Sequence, residues 1–306
     1  MTPVRRPDGF LHHLVDVGAV RLHVAEARPR LENGELADGA EPVGSDRPLV
    51  VFLHGFPELW SSWKAQLRAF ADAGFWAVAP DLRGYNESDK PEGVDAYRIE
   101  RLAADVAALI HALGRENAMV VGHDWGALVA WAVAGMHPSV VSRLAILNVP
   151  HPLAMMRGLR RLSQLKKSWY ILFFQLPWIP ERAIARDDFA YIRKTFARDG
   201  FANGEITPTI EALKVPGALT AALHYYRSAI RRLVTGRVPK SAVIACPVLV
   251  IWGDRDRYLG KEMAEPPARF VPNATVVHLP DAPHWVQTTA PDEVNHHLLK
   301  FARQRA

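Results

Sequence analysis

The chain has 306 residues, 49% hydrophobic and 23% charged, a globular composition long enough for one large domain with an insertion or for two modest ones. Its single cysteine, Cys246, excludes an intramolecular disulfide, agrees with a reducing compartment, and sits in an apolar run where a buried thiol is inert. The net charge of +5 is uneven: residues 152–237 hold 15 Lys/Arg against 6 Asp/Glu, interleaved with Leu, Ile, Phe and Ala at helical spacing, the pattern of solvated helix faces rather than of nucleic-acid contact.

The N-terminal residues lack the apolar core and cleavage site of a signal peptide, and no apolar run is long enough to span a bilayer, so the expectation is a soluble cytoplasmic chain without membrane insertion. "LVDVG" (14–18) and "VRLHVAEA" (20–27) read as antiparallel strands joined around Gly18, and the turn-rich stretch 32–48 as a surface loop. From "LVVFLHG" (49–55) onward, continuous apolar runs alternate with helical patterns. Helix 60–74 leads to strand 75–81, helix 99–114 to strand 118–124, and helix 126–138 to strand 141–150. Such runs are strands buried on both faces, and their alternation with helices predicts a mostly parallel sheet of eight strands flanked by helices. The regularity stops after Pro150. Residues 151–240 are aromatic-rich, helix-patterned and punctuated by proline, and they lack a buried-type strand. Strands resume with "CPVLVIWGD" (246–254) and "ATVVHLP" (274–280), and helix 291–304 closes the chain. The expected organisation is a core in two parts, 1–150 and 241–306, with a helical cap, 151–240, inserted where parallel sheets bind ligands.

The chemistry concentrates at strand ends. In "GHDWG" (122–126) a strand runs into a helix through a glycine-flanked turn, the setting of a nucleophile elbow, with Asp124 where such turns present their reactive side chain. Alone, the pattern is equally that of an aspartate capping a helix. A later strand ends in "GDRD" with two candidate acids, Asp254 and Asp256, and "DAPHW" places His284 after the last strand. Nucleophile, acid, histidine is the chain order of an elbow-based triad.

These motifs, together with "HGFPE" (54–58), resemble the α/β-hydrolase superfamily and, within it, the epoxide hydrolases, over essentially the whole chain. The resemblance implies that Asp124 is the nucleophile, that Asp256 rather than Asp254 is the triad acid, and that His284 is the base. It also implies backbone donors from Phe56 and Trp125 to an oxyanion on Asp124. A carboxylate attacking a saturated carbon forms an alkyl ester that water must cleave at the carboxylate's own carbonyl, hence the need for base and oxyanion donors. Opening an epoxide also needs a proton for the departing oxygen. "SWYILFFQLP" (168–177) and "ALHYYRSA" (222–229) resemble the cap motifs that supply it, matching Tyr170 and Tyr226 and leaving Tyr225 one position off. With Trp125 and Phe174, these tyrosines form the expected substrate-binding set for an apolar epoxide.

Two other readings stand beside this one. A dehalogenase shares the Asp nucleophile, but Phe56, Trp125 and Tyr170-Ile171 depart from the dehalogenase patterns; a ligand-binding homologue without catalysis would not need every catalytic position filled. The histidine pairs at 12–13 and 296–297 lack partner ligands at metal spacing, and no phosphate-binding fingerprint is present, so no metal or cofactor is expected. His54 and His123 read as supports for the reacting groups, and no sequence feature demands a homodimer.

Overall fold

The structure, a computed structural model, describes residues 4–5, 8–29, 46–236 and 242–304. Most of the loop expected at 32–48 and the end of the segment expected at 151–240 lie outside the described residues. The strands are β1 (Val4–Arg5), β2 (Leu11–Asp16), β3 (Arg21–Ala27), β4 (Leu49–Leu53), β5 (Trp76–Pro80), β6 (Ala118–His123), β7 (Val141–Leu147), β8 (Val248–Gly253) and β9 (Ala274–Leu279). They form one sheet in the order β1-β2-β3-β5-β4-β6-β7-β8-β9. The pairs from β5 to β9 are parallel; β1, β2 and β3 join antiparallel. The eight expected strands are all present, and the two-residue β1 extends the antiparallel edge.

The continuous apolar runs have the burial they imply. In β4, Val51 and Leu53 point into one core layer and Val50 and Phe52 into the other, all four fully buried. Helices α1 (Lys64–Asp72), α2 (Ile99–Ala112) and α3 (Trp125–Met136) follow β4, β5 and β6. Phe70 of α1 packs on Phe52 below the sheet, whereas α2 and α3 cover the opposite face. Each such fully buried side chain contributes about 1.5–3 kcal/mol through area removed from water.

Between β7 and β8 the chain leaves the sheet for helices that, among the described residues, number six: α4 (Pro152–Gly158), α5 (Leu162–Lys167), α6 (Trp169–Phe173), α7 (Ile179–Ala197), α8 (Asn203–Lys214) and α9 (Ala218–Val234). Two short helices, α10 (Val286–Thr289) and α11 (Pro291–Ala302), finish the chain. Helix α7 is broken at its middle, where Asp187, Asp188 and Phe189 have φ of 51°, 51° and 59°. Non-glycine residues rarely adopt this left-handed region. The break is tied by Asp188, which binds Arg193 (2.6 Å) and Lys214 (2.8 Å), and it buries Phe189. Below it, Tyr191, Ile192 and Thr195 reach the cavity described next.

The helical segment is fastened to the sheet layer through buried polar groups. The Arg83 guanidinium donates two hydrogen bonds to Asp105 of α2 (2.7 and 2.6 Å) and one to the Ala96 carbonyl, while the Arg83 carbonyl accepts from the Tyr225 hydroxyl of α9 (2.7 Å). Burial pushes the Asp105 carboxyl up, and the guanidinium opposes that rise. Removing one partner of a buried pair leaves the other charge uncompensated. Asp105→Ala is expected to lower the unfolding free energy by about 3–5 kcal/mol, read by urea denaturation. A loss under about 1 kcal/mol would mean that the guanidinium finds water instead.

Candidate active site

Asp124 sits between β6 and α3 with φ 48° and ψ −123°, a strained backbone that holds its side chain away from the sheet. The glycines around this elbow, on its own strand and helix and on the 54–57 loop, are there because the chain passes too close for a Cβ. One added at Gly126 would lie 2.1 Å from the Leu53 carbonyl oxygen, and one at Gly55 would lie 2.3 Å from Asp124 Cβ. The same crowding brings the 54–57 loop onto the carboxylate, so that the Phe56 N–H donates to Asp124 Oδ1 at 2.7 Å. His54 shapes that loop: its Nε2 accepts from Leu82 N–H (3.0 Å) and its Nδ1 donates to the Gly55 carbonyl (2.9 Å). Trp125 opens α3, where the first N–H groups have no partner within the helix.

The two acids of "GDRD" part company. Asp254 turns outward to His278 (2.6 Å) and Lys261 (3.3 Å). Asp256 is buried, and its Oδ2 accepts from His284 Nδ1 at 2.7 Å. Its Oδ1 accepts the backbone N–H groups of Tyr258 (2.7 Å) and Leu259 (2.9 Å). His284 Nε2 lies 3.8 Å from Asp124 Oδ2, beyond hydrogen-bond length but in direct electrostatic range.

Burial works against every charge here and is overruled each time. Burial would raise the Asp124 carboxyl, but the His284 ring and the Phe56 N–H hold it below its ordinary range. Burial would likewise raise Asp256; His284, the Asn148 amide and the Leu259 N–H hold it low. Burial would lower His284, yet the charges of Asp256 and Asp124 push it up to about 10. The resting site is therefore an imidazolium between two carboxylates at neutral pH.

Tyr170 on α6 and Tyr226 on α9 line the same cavity as Asp124 and His284, with their rings 6.0 Å apart. Burial and the negative charge of Asp124 raise both phenols well above their ordinary value. Phe174 packs edge-on to both, and Phe56 closes on Tyr226. Tyr191, Tyr258 and Trp285 complete the walls of the cavity, which is open to solvent on one side. Trp125 is the exception among the expected substrate contacts. Its indole is wedged edge-on to Tyr225 and Tyr226, and it lines a separate apolar hollow beside Leu128, Trp131 and Met136. Tyr225 has a structural task, its hydroxyl being spent on the Arg83 carbonyl.

One support escaped the motifs, and a second extends the supporting role expected of His123. Asn148, in the left-handed region at the end of β7 (φ 52°), donates to Asp256 Oδ2 (2.8 Å) and accepts from Gly253 N–H (2.9 Å), so it orients the acid. Its signal was an asparagine at a strand end ahead of Pro150. The other is a buried chain through His123, whose ring nitrogens face the Glu58 carboxylate (2.9 Å) and the His284 carbonyl (3.0 Å), with Gln287 donating to Glu58 (2.9 Å). It fixes the backbone of His284 to the strand that carries Asp124. Among the described residues, no cluster of His, Cys, Asp or Glu could hold a metal ion.

A parallel sheet with an acid at its central elbow, a histidine and a second acid at later strand ends, defines an α/β hydrolase, and residues 48–291 match that family, described as the alpha/beta hydrolase fold. The chain is 38% identical over 304 residues to the AB hydrolase superfamily protein YfhM of Bacillus subtilis, covering 97% of this chain and all of that one. It is 35% identical over 269 residues to human epoxide hydrolase 4, covering 84% of this chain and 73% of the relative. The crystal structure of a Bacillus megaterium epoxide hydrolase with an inhibitor superposes with a TM-score of 0.83 at 31% identity, over 95% of this chain and all of that one. The chain belongs to the epoxide hydrolase family of the α/β hydrolases.

The raised His284 pKa has a definite sign. Its pairing stabilises the fold fully below the ordinary value of 6.5 and is lost as pH climbs through about 10. Asp124→Asn removes one of the two anions, so the imidazole titration followed by NMR should fall below about 10, with stability declining at correspondingly lower pH. An unchanged titration would assign the whole shift to Asp256.

Proposed function

We propose that this protein hydrolyses an epoxide to a vicinal diol through an ester on Asp124. The observation that carries the reading is a charged carboxylate on a strained backbone facing two protonated phenols, Tyr226 buried and Tyr170 half-buried, across one apolar cavity, with a histidine–aspartate pair at its side. The relatives named epoxide hydrolases support the reaction class; the roles below rest on geometry.

Asp124 Oδ2 attacks an epoxide carbon, its Oδ1 staying on the Phe56 N–H. The C–O bond breaks, and the leaving oxygen takes a proton from Tyr170 or Tyr226, whose raised pKa keeps the proton in place until an alkoxide develops. Alkylation also erases the charge of Asp124, one of the two anions that hold the proton on His284. That proton restores the tyrosinate, and the imidazole becomes free to act as a base. It then takes a proton from water attacking Asp124 Cγ, the oxyanion forming on Oδ1 against the Phe56 and Trp125 N–H groups. Collapse returns the carboxylate, the diol and the imidazolium. Asp256 holds the ring by Nδ1 throughout. Residues 151–240 act in this scheme as a cap that supplies the acids, while the sheet supplies nucleophile and base. The apolar walls favour a lipophilic or aryl epoxide.

Intact mass of His284→Ala after incubation with styrene oxide is the decisive test. The expected result is an adduct equal to the whole epoxide, removed by replacing Asp124 with Asn. An adduct formed only from a short bromoalkane, without bromine, would move the protein to dehalogenation, and no adduct from either would favour a binding protein. In the otherwise intact chain, Tyr170→Phe with Tyr226→Phe should slow single-turnover alkylation by about a hundredfold or more while leaving hydrolysis of a preformed ester unchanged. Equal slowing of both steps would remove the tyrosines from the role of proton donors.

A further inference from the structure

Over α5 and α6 the basic helical segment leaves part of its apolar side uncovered. From Leu162 to Leu176, nearly continuous helical hydrogen bonding runs through α5 and α6, with Ser168 N–H on the Gln164 carbonyl and Phe174 N–H on the Tyr170 carbonyl. Leu162, Leu165, Trp169, Leu172 and Leu176 recur at spacings of three and four and so share one face. That face is outside: Leu162 is 76% exposed, Leu172 68% and Trp169 58%, and Trp178 beyond them 63%. The inner face carries Gln164 and Ser168, buried and hydrogen-bonded, with the Gln164 amide donating to the Tyr258 carbonyl (2.8 Å) and to Ser168 Oγ (3.0 Å). The inner side of α5 is thus polar, whereas the run through α6 buries Phe174 and packs Ile171 and Phe173 on the core, and Leu162, Leu165, Trp169 and Leu172 are left outside.

Around this stripe the charge is one-sided. Residues 156–186 contain seven Lys/Arg and a single acid, Glu181, and that acid is engaged by the guanidinium of Arg227 (2.7 Å). Arg157, Arg160, Lys166, Arg182 and Arg186 are exposed. Of the neighbouring acids, Glu262 stands 3.6 Å from Arg161 and Asp187 3.4 Å from Arg186.

We infer that this face is a docking surface for an anionic lipid bilayer, with Trp169, Leu172 and Trp178 entering the headgroup–acyl boundary and the flanking cations meeting anionic headgroups. Apolar and aromatic side chains framed by Lys and Arg are what such an interface selects. A second copy of the chain fits less well, because self-pairing sets seven cations against seven and the stripe spans two heptads, fewer than a coiled coil sustains. No helix among the described residues is long and apolar enough to cross a membrane, so the contact is peripheral. The face adjoins the cavity: Tyr170 and Phe174 of the same helical run line it, as does the exposed Tyr191. Resting on the proposed epoxide chemistry, the docked orientation lets a lipophilic epoxide pass from the lipid phase to Asp124.

The test is co-sedimentation with phosphatidylcholine vesicles prepared with and without phosphatidylglycerol, beside sedimentation velocity of the protein alone. Binding is expected only with phosphatidylglycerol and should be released by high salt. Trp169→Gln with Leu172→Gln should weaken it by about tenfold or more. Arg160→Gln with Lys166→Gln, at exposed positions that leave the stripe intact, should weaken it by about twenty-five-fold, roughly fivefold per charge. Turnover of a water-soluble epoxide should be unchanged in both variants. Wild-type protein left in the supernatant with both vesicle types overturns the inference, as does a dimer dissociated by Trp169→Gln with Leu172→Gln. Because vesicle binding is read without substrate, it stands or falls separately from the epoxide reading.

Discussion

A carboxylate drawn out of water has to be compensated where it stands, and around Asp124 that requirement organises the centre of the molecule. The compensation comes from a backbone N–H at 2.7 Å and an imidazolium whose own charge is balanced by Asp256. Neither donor can reach the carboxylate unless the elbow is tight, and the elbow is tight only because Gly126 lets α3 touch the Leu53 carbonyl. The electrostatics of the site are therefore a consequence of close packing between one helix and two strands. The scheme also makes the compensation self-cancelling: once the carboxylate becomes an ester, the reason for His284 to hold its proton weakens.

The helical segment meets a different constraint. It covers the cavity with aromatic side chains while keeping its attachment to the sheet layer polar, through Arg83, Asp105 and Tyr225 on one side and Gln164 on another. Polar attachment of this kind consumes the inner face of α5, while Tyr170 and Phe174 take the inner side of the α6 run, and Leu162, Leu165, Trp169 and Leu172 are left outside. The unusual surface follows from how the segment is fastened.

Much of this was legible in the sequence. Strands buried on both faces announce themselves as unbroken apolar runs, so β4 to β8 and their helices stood out, and Asp124, His284 and the tyrosine pair came from motifs. Choosing Asp256 over Asp254 needed either the family or the coordinates, since two acids two residues apart at a strand end look alike until one of them meets His284. What stayed hidden depends on contacts distant in the chain. Asn148 orients an acid 108 residues away, and Glu58 reaches His284 only by way of His123. The indole of Trp125 turns toward Tyr225 because of the start of α3, which no local pattern encodes. The exposed stripe at 162–176 has the periodicity of an ordinary amphipathic helix, and periodicity does not say which face is covered. The break in α7 leaves no proline or glycine as a marker.

The two tyrosines are linked through α9. Tyr226 stands next to a residue whose hydroxyl is locked onto the Arg83 carbonyl in the loop after β5. Tyr170 sits on a five-residue helix whose end is tied to α9: the Arg227 guanidinium donates to the Phe174 (2.9 Å) and Leu176 (2.8 Å) carbonyls, and the Gln175 amide donates to the Tyr226 carbonyl (3.4 Å). The pair works like a caliper whose two jaws hang from one bar, α9. In the proposed scheme the gauge of the opening is therefore set within the helical segment, apart from Asp124 and His284, which stand at the strand ends.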